Sequence, residues 1–167
     1  VLDLARIEAG RMSVTLEQVE LDSVLQEVKA MADPLAKRHG ISMSFVEDVD
    51  ILVMSDKTRL KQVMLNLLSN AIKYNREHGS VSVFVEHLHE FVRISVKDTG
   101  QGIAPDQREA LFEPFNRLGA EGSEIEGTGI GMMVTRQFVE LMNGSIDFES
   151  EPGQGSVFWV DLPVYND

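Results

Sequence analysis

The sequence predicts an α+β two-layer sandwich, and three observations predict it. Residues 56–76, DKTRLKQVMLNLLSNAIKYNR, carry a sustained apolar stripe at helical spacing; residues 80–98 and 145–162 each hold two strand-like runs adjacent in sequence; and helical and strand-like segments are mixed along the chain. At 167 residues, 43% hydrophobic and 25% charged, the chain has the size and composition of one globular domain with a real core.

In order, residues 1–10, VLDLARIEAG, place Leu, Ala and Ile at helical spacing and stop at Gly10 with no start signal before them, as expected of the end of a longer helix. MSVTLEQVEL (12–21) suggests a short strand from Val14, Leu16, Val19 and Leu21. Asp22 or Ser23 is expected to cap a helix running to about His39, with Val24, Leu25, Val28, Met31 and Leu35 buried, Pro34 as a potential kink and Gly40 at its end. ISMSFV (41–46) and ILVM (51–54) read as two further short strands. In the central helix Asp56 is the expected cap, and Leu60, Val63, Met64, Leu67, Leu68 and Ala71 form the core-facing stripe. Burying six such side chains contributes roughly 1.5–3 kcal/mol each before conformational entropy is counted. SVSVFVE (80–86) and FVRISVKD (91–98) pair as a hairpin across HLHE, with Val92, Ile94 and Val96 on one face and Arg93, Ser95 and Lys97 on the other. A short helix follows Pro105; GTGIGM (127–132) opens a last helix with Ile130, Val134, Phe138 and Leu141 on one stripe, ended by Asn143-Gly144; and SIDFES, PGQG and SVFWVDL close the chain as a second hairpin.

Composition excludes several classes of function. A net charge of −12, from 15 basic against 27 acidic residues, argues against a nucleic-acid groove or an anionic membrane surface as partner. No cysteine is present, which excludes disulfide scaffolds and thiolate metal sites. No apolar run approaches a membrane span and no signal-peptide pattern opens the sequence, so a soluble, cytoplasmic domain is expected.

Chemistry concentrates in three places. On the central helix, Gln62, Asn66, Asn70 and Lys73 fall opposite the apolar stripe, and two asparagines four apart are poor choices for an ordinary solvated face. An Asn carbonyl suits a hard cation such as Mg²⁺, which takes one or two protein oxygens together with phosphate oxygens and waters, and Lys73 one turn on would meet a phosphate. A polar face whose amides bond water is the alternative. DTGQGI (98–103) places Asp98 at a strand end, with Gly100 and Gly102 permitting close backbone approach. Gly127, Gly129 and Gly131 stand at a helix N-terminus, where exposed N–H groups and the helix dipole favour phosphate.

The series NLLSNAIKY, DTGQGI, LFEPFNRL, GTGIGM and a terminal GQGSVFWVDLP resembles the ATP-binding catalytic domain of sensor histidine kinases, with that family's N, G1, F and G2 boxes in order. The resemblance spans roughly residues 12–165 and implies the Bergerat fold of that ATPase superfamily, a mixed five-stranded sheet packed on three helices. It divides the chain into residues 1–11, the end of a dimerisation and phosphotransfer helix, and residues 12–167, the ATP-binding catalytic domain. It implies ATP and Mg²⁺ as ligands, with Asn70 on the metal, Asn66 supporting it, Lys73 and Arg117 at the phosphates, and Tyr74 near the adenine or phosphates. Asp98 would accept from the adenine amino group, with Gly100, Gly102 and Ile103 forming that wall. Phe112 and Phe115 would anchor a mobile lid across 119–127. Gly127, Thr128, Gly129, Ile130, Gly131 and Met132 would cradle the phosphates, although Met132 and Met133 also read as core.

Hydrolases of the superfamily, such as type II topoisomerases, mismatch-repair ATPases and heat-shock chaperones, place a Glu where this chain has Asn66. A carboxylate there can serve as general base toward water and an amide cannot, which favours phosphoryl transfer over hydrolysis. The phosphoacceptor is expected on a separate dimerisation domain, because His39, His78, His87 and His89 are the only histidines. His89-Glu90 with Arg93 imitates the family's acceptor pattern but lies after the N box, lacks its proline and runs into a strand. The resemblance thus implies a two-component sensor kinase module whose partners are the histidine-bearing domain and a response regulator receiver domain, on a parent protein that could be membrane-anchored. A nucleotide-binding regulatory module without phosphotransfer, and a serine kinase of the same superfamily, are the alternatives.

Overall fold

A computed structural model describes residues 13–108, 111–112 and 131–165. The elements, in order, are β1 (Glu17–Glu20), α1 (Leu21–Arg38), β2 (Ser42–Phe45), β3 (Leu52–Ser55), α2 (Lys57–Lys73), β4 (Ser80–Leu88), β5 (Phe91–Asp98), α3 (Pro105–Arg108), α4 (Met132–Leu141), β6 (Ser145–Glu151) and β7 (Gly155–Pro163). Five strands form one sheet in the order β2-β4-β5-β7-β6, parallel only between β2 and β4. The mixed five-stranded sheet on three long helices is therefore as expected.

The sheet's inner face is written by strand alternation. Val81 and Val83 of β4, Val92, Ile94 and Val96 of β5, and Val160 and Leu162 of β7 are all buried beneath the helices. On the outer face Arg93 sits opposite Asp161 in register, bonds it through both arms at 2.8 and 3.0 Å, and lies 5.0 Å over the Trp159 ring. Ser95 proves buried on that face, since it stands between Phe84 and Trp159 in the ladder.

Helix α2 is the spine. All six stripe residues are at most 4% exposed, and the Asp56 carboxylate caps the helix by accepting from the Arg59 N–H at 3.2 Å. Ile72 and Ser69 are buried as well, because α1 and α4 flank α2 on two sides.

Three helical expectations are corrected. α1 starts at Leu21 without a side-chain cap, and Asp22 lies in its first turn, accepting instead from the Val49 N–H at 3.3 Å. Met31 is 58% exposed; the stripe continues in steps of four from Val28 through Ala32 to Ala36, small residues that let α1 lie close to its neighbours. Leu141 is 39% exposed, and α4 is buried through Met132, Thr135, Phe138 and Val139. One arrangement was not anticipated: β1 and β3 form their own antiparallel pair, tied to the end of the chain by the Tyr165 N–H bonding Leu52 O at 2.8 Å. Residues 1–11, read as the end of a preceding helix, and the 119–127 lid lie outside the described residues.

Candidate functional site

The site is built where three elements end. The last turn of α2 delivers Asn70 and Tyr74, β5 delivers Asp98 as its final residue, and α4 begins at Met132 after an exposed Gly131 cap, whereas Lys73, on the same turn of α2, is not among the residues that line the groove. Between them runs a groove holding roughly 500 Å³, its open mouth included. Leu67, Ala71, Ile103 and Phe158 give it apolar walls, and Asn70, Tyr74, Asp98, Gln101, Gln107 and Ser156 supply its polar groups. A mostly apolar cleft with a few converging polar groups suits a flat, partly polar ligand.

A dense set of hydrogen bonds holds the Asp98 end. Asn75, just past α2, donates to Ser80 O at 2.9 Å and accepts from the Thr99 hydroxyl at 3.1 Å, while that hydroxyl accepts from the Ser80 N–H at 2.9 Å. Arg76 donates to the carbonyls of Thr99 and Gly153. Gly100 is required by this closeness: a Cβ there would lie 2.6 Å from Tyr74 O. Gly102 has φ +74° and would bring a Cβ to 2.3 Å from Glu151 O, so only glycine lets the loop pass under the β6–β7 turn. From below, the buried Ser150 hydroxyl accepts from the Ile103 N–H at 2.7 Å and shares a 2.8 Å bond with Ser156.

Burial pushes the Asp98 carboxyl above the usual aspartate range, and hydrogen bonds from the backbone N–H groups of Gly100, at 2.8 Å, and Ser156 offset part of that rise. The result is a half-buried acceptor that lines the groove and is anchored to the backbone N–H groups of Gly100 and Ser156. Apart from Asp98 and Tyr74, no described lining residue is ionisable.

Against α4, the α2 amides form a cluster. Asn70 lines the groove, but Asn66 does not share its open face as the sequence reading expected: it is 3% exposed and its Nδ2 donates to the hydroxyl of Thr135, itself fully buried, at 2.8 Å. The reason is that α4 packs across this side of α2. The Met132 sulfur lies 3.4 Å from Asn66 Nδ2 and 3.6 Å from Asn70 Nδ2, so Met132 is both core, as read, and groove wall. The α4 N-terminus has no side-chain cap, which leaves N–H groups of its first turn to other acceptors.

Of the other residues singled out from sequence, Lys73 and Tyr74 are half-buried at the end of α2, and Gly100 stands behind Asp98. Phe112 packs 6.3 Å from the Phe148 ring, with the Arg136 guanidinium 4.9 Å over its own. Phe115, Arg117, Gly127, Thr128, Gly129 and Ile130 lie outside the described residues. Sequence reasoning missed Ser156 and Thr135. The PGQGS turn was a signal for the first; nothing in the local pattern marks a buried threonine as the partner of an asparagine 69 residues away.

Among the described residues no group of three His, Asp or Glu could hold a metal ion. A cation here would need ligand oxygens besides those of the protein, which fits an ion taking the Asn70 carbonyl together with phosphates and waters.

The model of the histidine kinase-, DNA gyrase B- and HSP90-like ATPase family matches residues 55–166. The sensor histidine kinase GacS of Pseudomonas protegens is 35% identical over 171 residues, covering 97% of this chain and 18% of that protein. Among solved structures, the catalytic domain of histidine kinase ThkA superposes with a TM-score of 0.77 at 28% identity, covering 90% of this chain and 96% of that one. Full-length ShkA in complex with AMPPNP gives a TM-score of 0.82 at 30% identity, covering 99% of this chain and 35% of that one. The chain spans about a fifth of the length of the curated relatives it matches.

Proposed function

The chain belongs to the histidine kinase-, DNA gyrase B- and HSP90-like ATPase family, and from that membership we propose that it is the catalytic, ATP-binding domain of a two-component sensor histidine kinase. The observation that carries the reading is the placement of Asp98 and Asn70, an anionic acceptor and an amide, in one groove. Asp98 accepts the adenine amino N–H, and Ile103 and Phe158 flank the base. Asn70 offers its carbonyl to Mg²⁺, which supplies charge neutralisation on the phosphates. Lys73, Arg117 and the residues from Gly127 to Met132 receive the phosphates, Tyr74 lies near the adenine or the phosphates, and the uncapped α4 N-terminus adds its dipole. Phe112 and Phe115 hold the lid.

Transfer is favoured over hydrolysis by the chemistry at position 66. A general base toward water needs a titratable group near the phosphates, and there the chain has an amide already bonded to Thr135. Positioning and electrostatics suffice when the nucleophile is a neutral imidazole nitrogen: it forms the N–P bond as the γ-phosphorus bond to the ADP oxygen breaks. None of the chain's own histidines is placed for this. His39, His78, His87 and His89 are exposed, and none lines the groove. The acceptor is a histidine of a dimerisation domain, of which residues 1–11 form the end, and a response regulator receiver domain takes the phosphoryl group onward. The module works in the cytoplasm; no described helix is long and apolar enough to cross a membrane.

Incubating the protein with radiolabelled ATP, Mg²⁺ and the parent's helical domain tests this. Acid-labile, base-stable phosphate on that domain is expected. Nucleotide binding without such transfer would favour a regulatory module.

A further inference from the structure

The junction between α2 and α4 contains a buried polar contact that the proposed reaction does not itself require. Thr135 is fully buried and Asn66 is 3% exposed, yet the two are joined by a 2.8 Å hydrogen bond beside the buried Met132, where apolar packing would cost less desolvation. The donor is the amide N–H₂ of Asn66. The Met132 thioether fixes that assignment, because a thioether sulfur accepts and never donates, and it lies 3.4 Å from Asn66 Nδ2 and 3.6 Å from Asn70 Nδ2. Both amides therefore turn their N–H₂ groups toward α4, and the carbonyl oxygen is what each carries on its other arm.

Thr135 also sits in the first turn of α4, where its N–H bonds Gly131 O at 3.0 Å. One residue thus links the helix end suited to phosphate with the helix that carries the cation-binding amide.

We propose that Thr135 is a positioning residue: by accepting the buried Asn66 side-chain N–H it seats α4 on α2, so that the Met132 sulfur, which both amides approach, receives the Asn70 N–H₂ and leaves the Asn70 oxygen for the divalent cation of a bound nucleotide. The inference rests on the Mg-nucleotide reading given above. Thr135→Val keeps the shape and removes the acceptor; Thr135→Ser keeps the hydroxyl. Asn66→Ala would remove the amide itself and is not informative about its orientation.

Two measurements test it. In the metal-free protein, the Asn66 side-chain amide resonances of ¹⁵N-labelled samples should shift in Thr135→Val and return toward wild type in Thr135→Ser. In ADP titrations across a series of MgCl₂ concentrations, the Mg²⁺ needed for half-maximal enhancement of affinity should rise about three- to tenfold in Thr135→Val, as expected for one lost hydrogen bond, while affinity in EDTA changes less than about twofold. Thr135→Ser should restore the wild-type Mg²⁺ requirement. Thr135→Ala, which cannot overpack, carries the same test where the valine variant is poorly folded. An unchanged Mg²⁺ requirement in a variant whose amide signals have shifted overturns the inference alone, as does an equal loss of affinity with and without Mg²⁺. No ADP binding by the wild-type protein overturns the nucleotide reading and this inference with it.

Discussion

Replacing Asp98 separates the binding role of its carboxylate from its structural one. Asp98→Ala removes an anionic acceptor, and a hydrogen bond to a charged group is worth about 1.5–3 kcal/mol, so adenine-nucleotide affinity should fall roughly 10- to 100-fold. The same change strips the Gly100 N–H of its 2.8 Å acceptor, which costs about 1–3 kcal/mol of stability at a buried position. That loss is partly offset, because burial already disfavours the ionised carboxyl. At roughly 2–4 °C per kcal/mol for a domain of this size the lost bond alone would lower melting by about 2–12 °C, and the net shift should be smaller than that. Asp98→Asn keeps an oxygen for Gly100 but turns a donor toward the adenine amino group. It should therefore lose affinity to a similar degree while melting close to wild type. Calorimetric titration with Mg-ADP and thermal denaturation of the three proteins provide the comparison. A folded Asp98→Asn protein that binds like wild type would refute the assigned role. Acidity gives a second readout with a defined sign. With its pKa raised on folding, Asp98 holds more proton in the folded than in the unfolded state between the usual aspartate value and the raised one, so its contribution to stability declines as pH rises through that window. Nucleotide affinity moves oppositely and weakens as pH falls through the raised value. Asp98→Asn should abolish both dependences.

Asn70→Ala should weaken ADP binding in the presence of Mg²⁺ by about tenfold and leave binding in EDTA nearly unchanged, as comparison of the two titrations will show. Gly102→Ala should lower stability by at least about 1–2 kcal/mol, the cost of a Cβ at positive φ, and reduce nucleotide affinity as the loop lifts away from Glu151; a variant with wild-type melting and affinity would contradict the close approach. A double-mutant cycle on Arg93 and Asp161 should return a coupling of about 1 kcal/mol in urea unfolding with no change in nucleotide affinity, because the pair lies on the outer sheet face.

Much of the fold was legible because its determinants are periodic and local. The α2 stripe, the Asp56 cap and the alternation of Val92, Ile94 and Val96 each follow from geometry repeated over a few residues; the structure buries the apolar ones and shows the cap bond from the Arg59 N–H. The misreadings share a cause. Met31 and Leu141 satisfy a helical stripe by spacing and are exposed, because the width of a buried face is set by which neighbours pack on it. Asn66 was placed on an open face for the same reason in reverse: the covering helix α4 comes from residues 132–141. The separate β1–β3 pair was likewise invisible, since pairing between segments more than 30 residues apart leaves no local mark.

The sequence by itself determined the architecture and the family, through short motifs whose glycines, amides and carboxylate are dictated by backbone approach and by ligand chemistry. Only the tertiary structure decided that Asn70 and Asp98 share a groove while Asn66 is sealed beneath Thr135, and that Asp98 is held by backbone N–H groups at a raised pKa. The physical reason is one of range: helical and strand periodicity act over a few residues, whereas burial and electrostatic environment are set by whatever the fold brings alongside from far away in the chain.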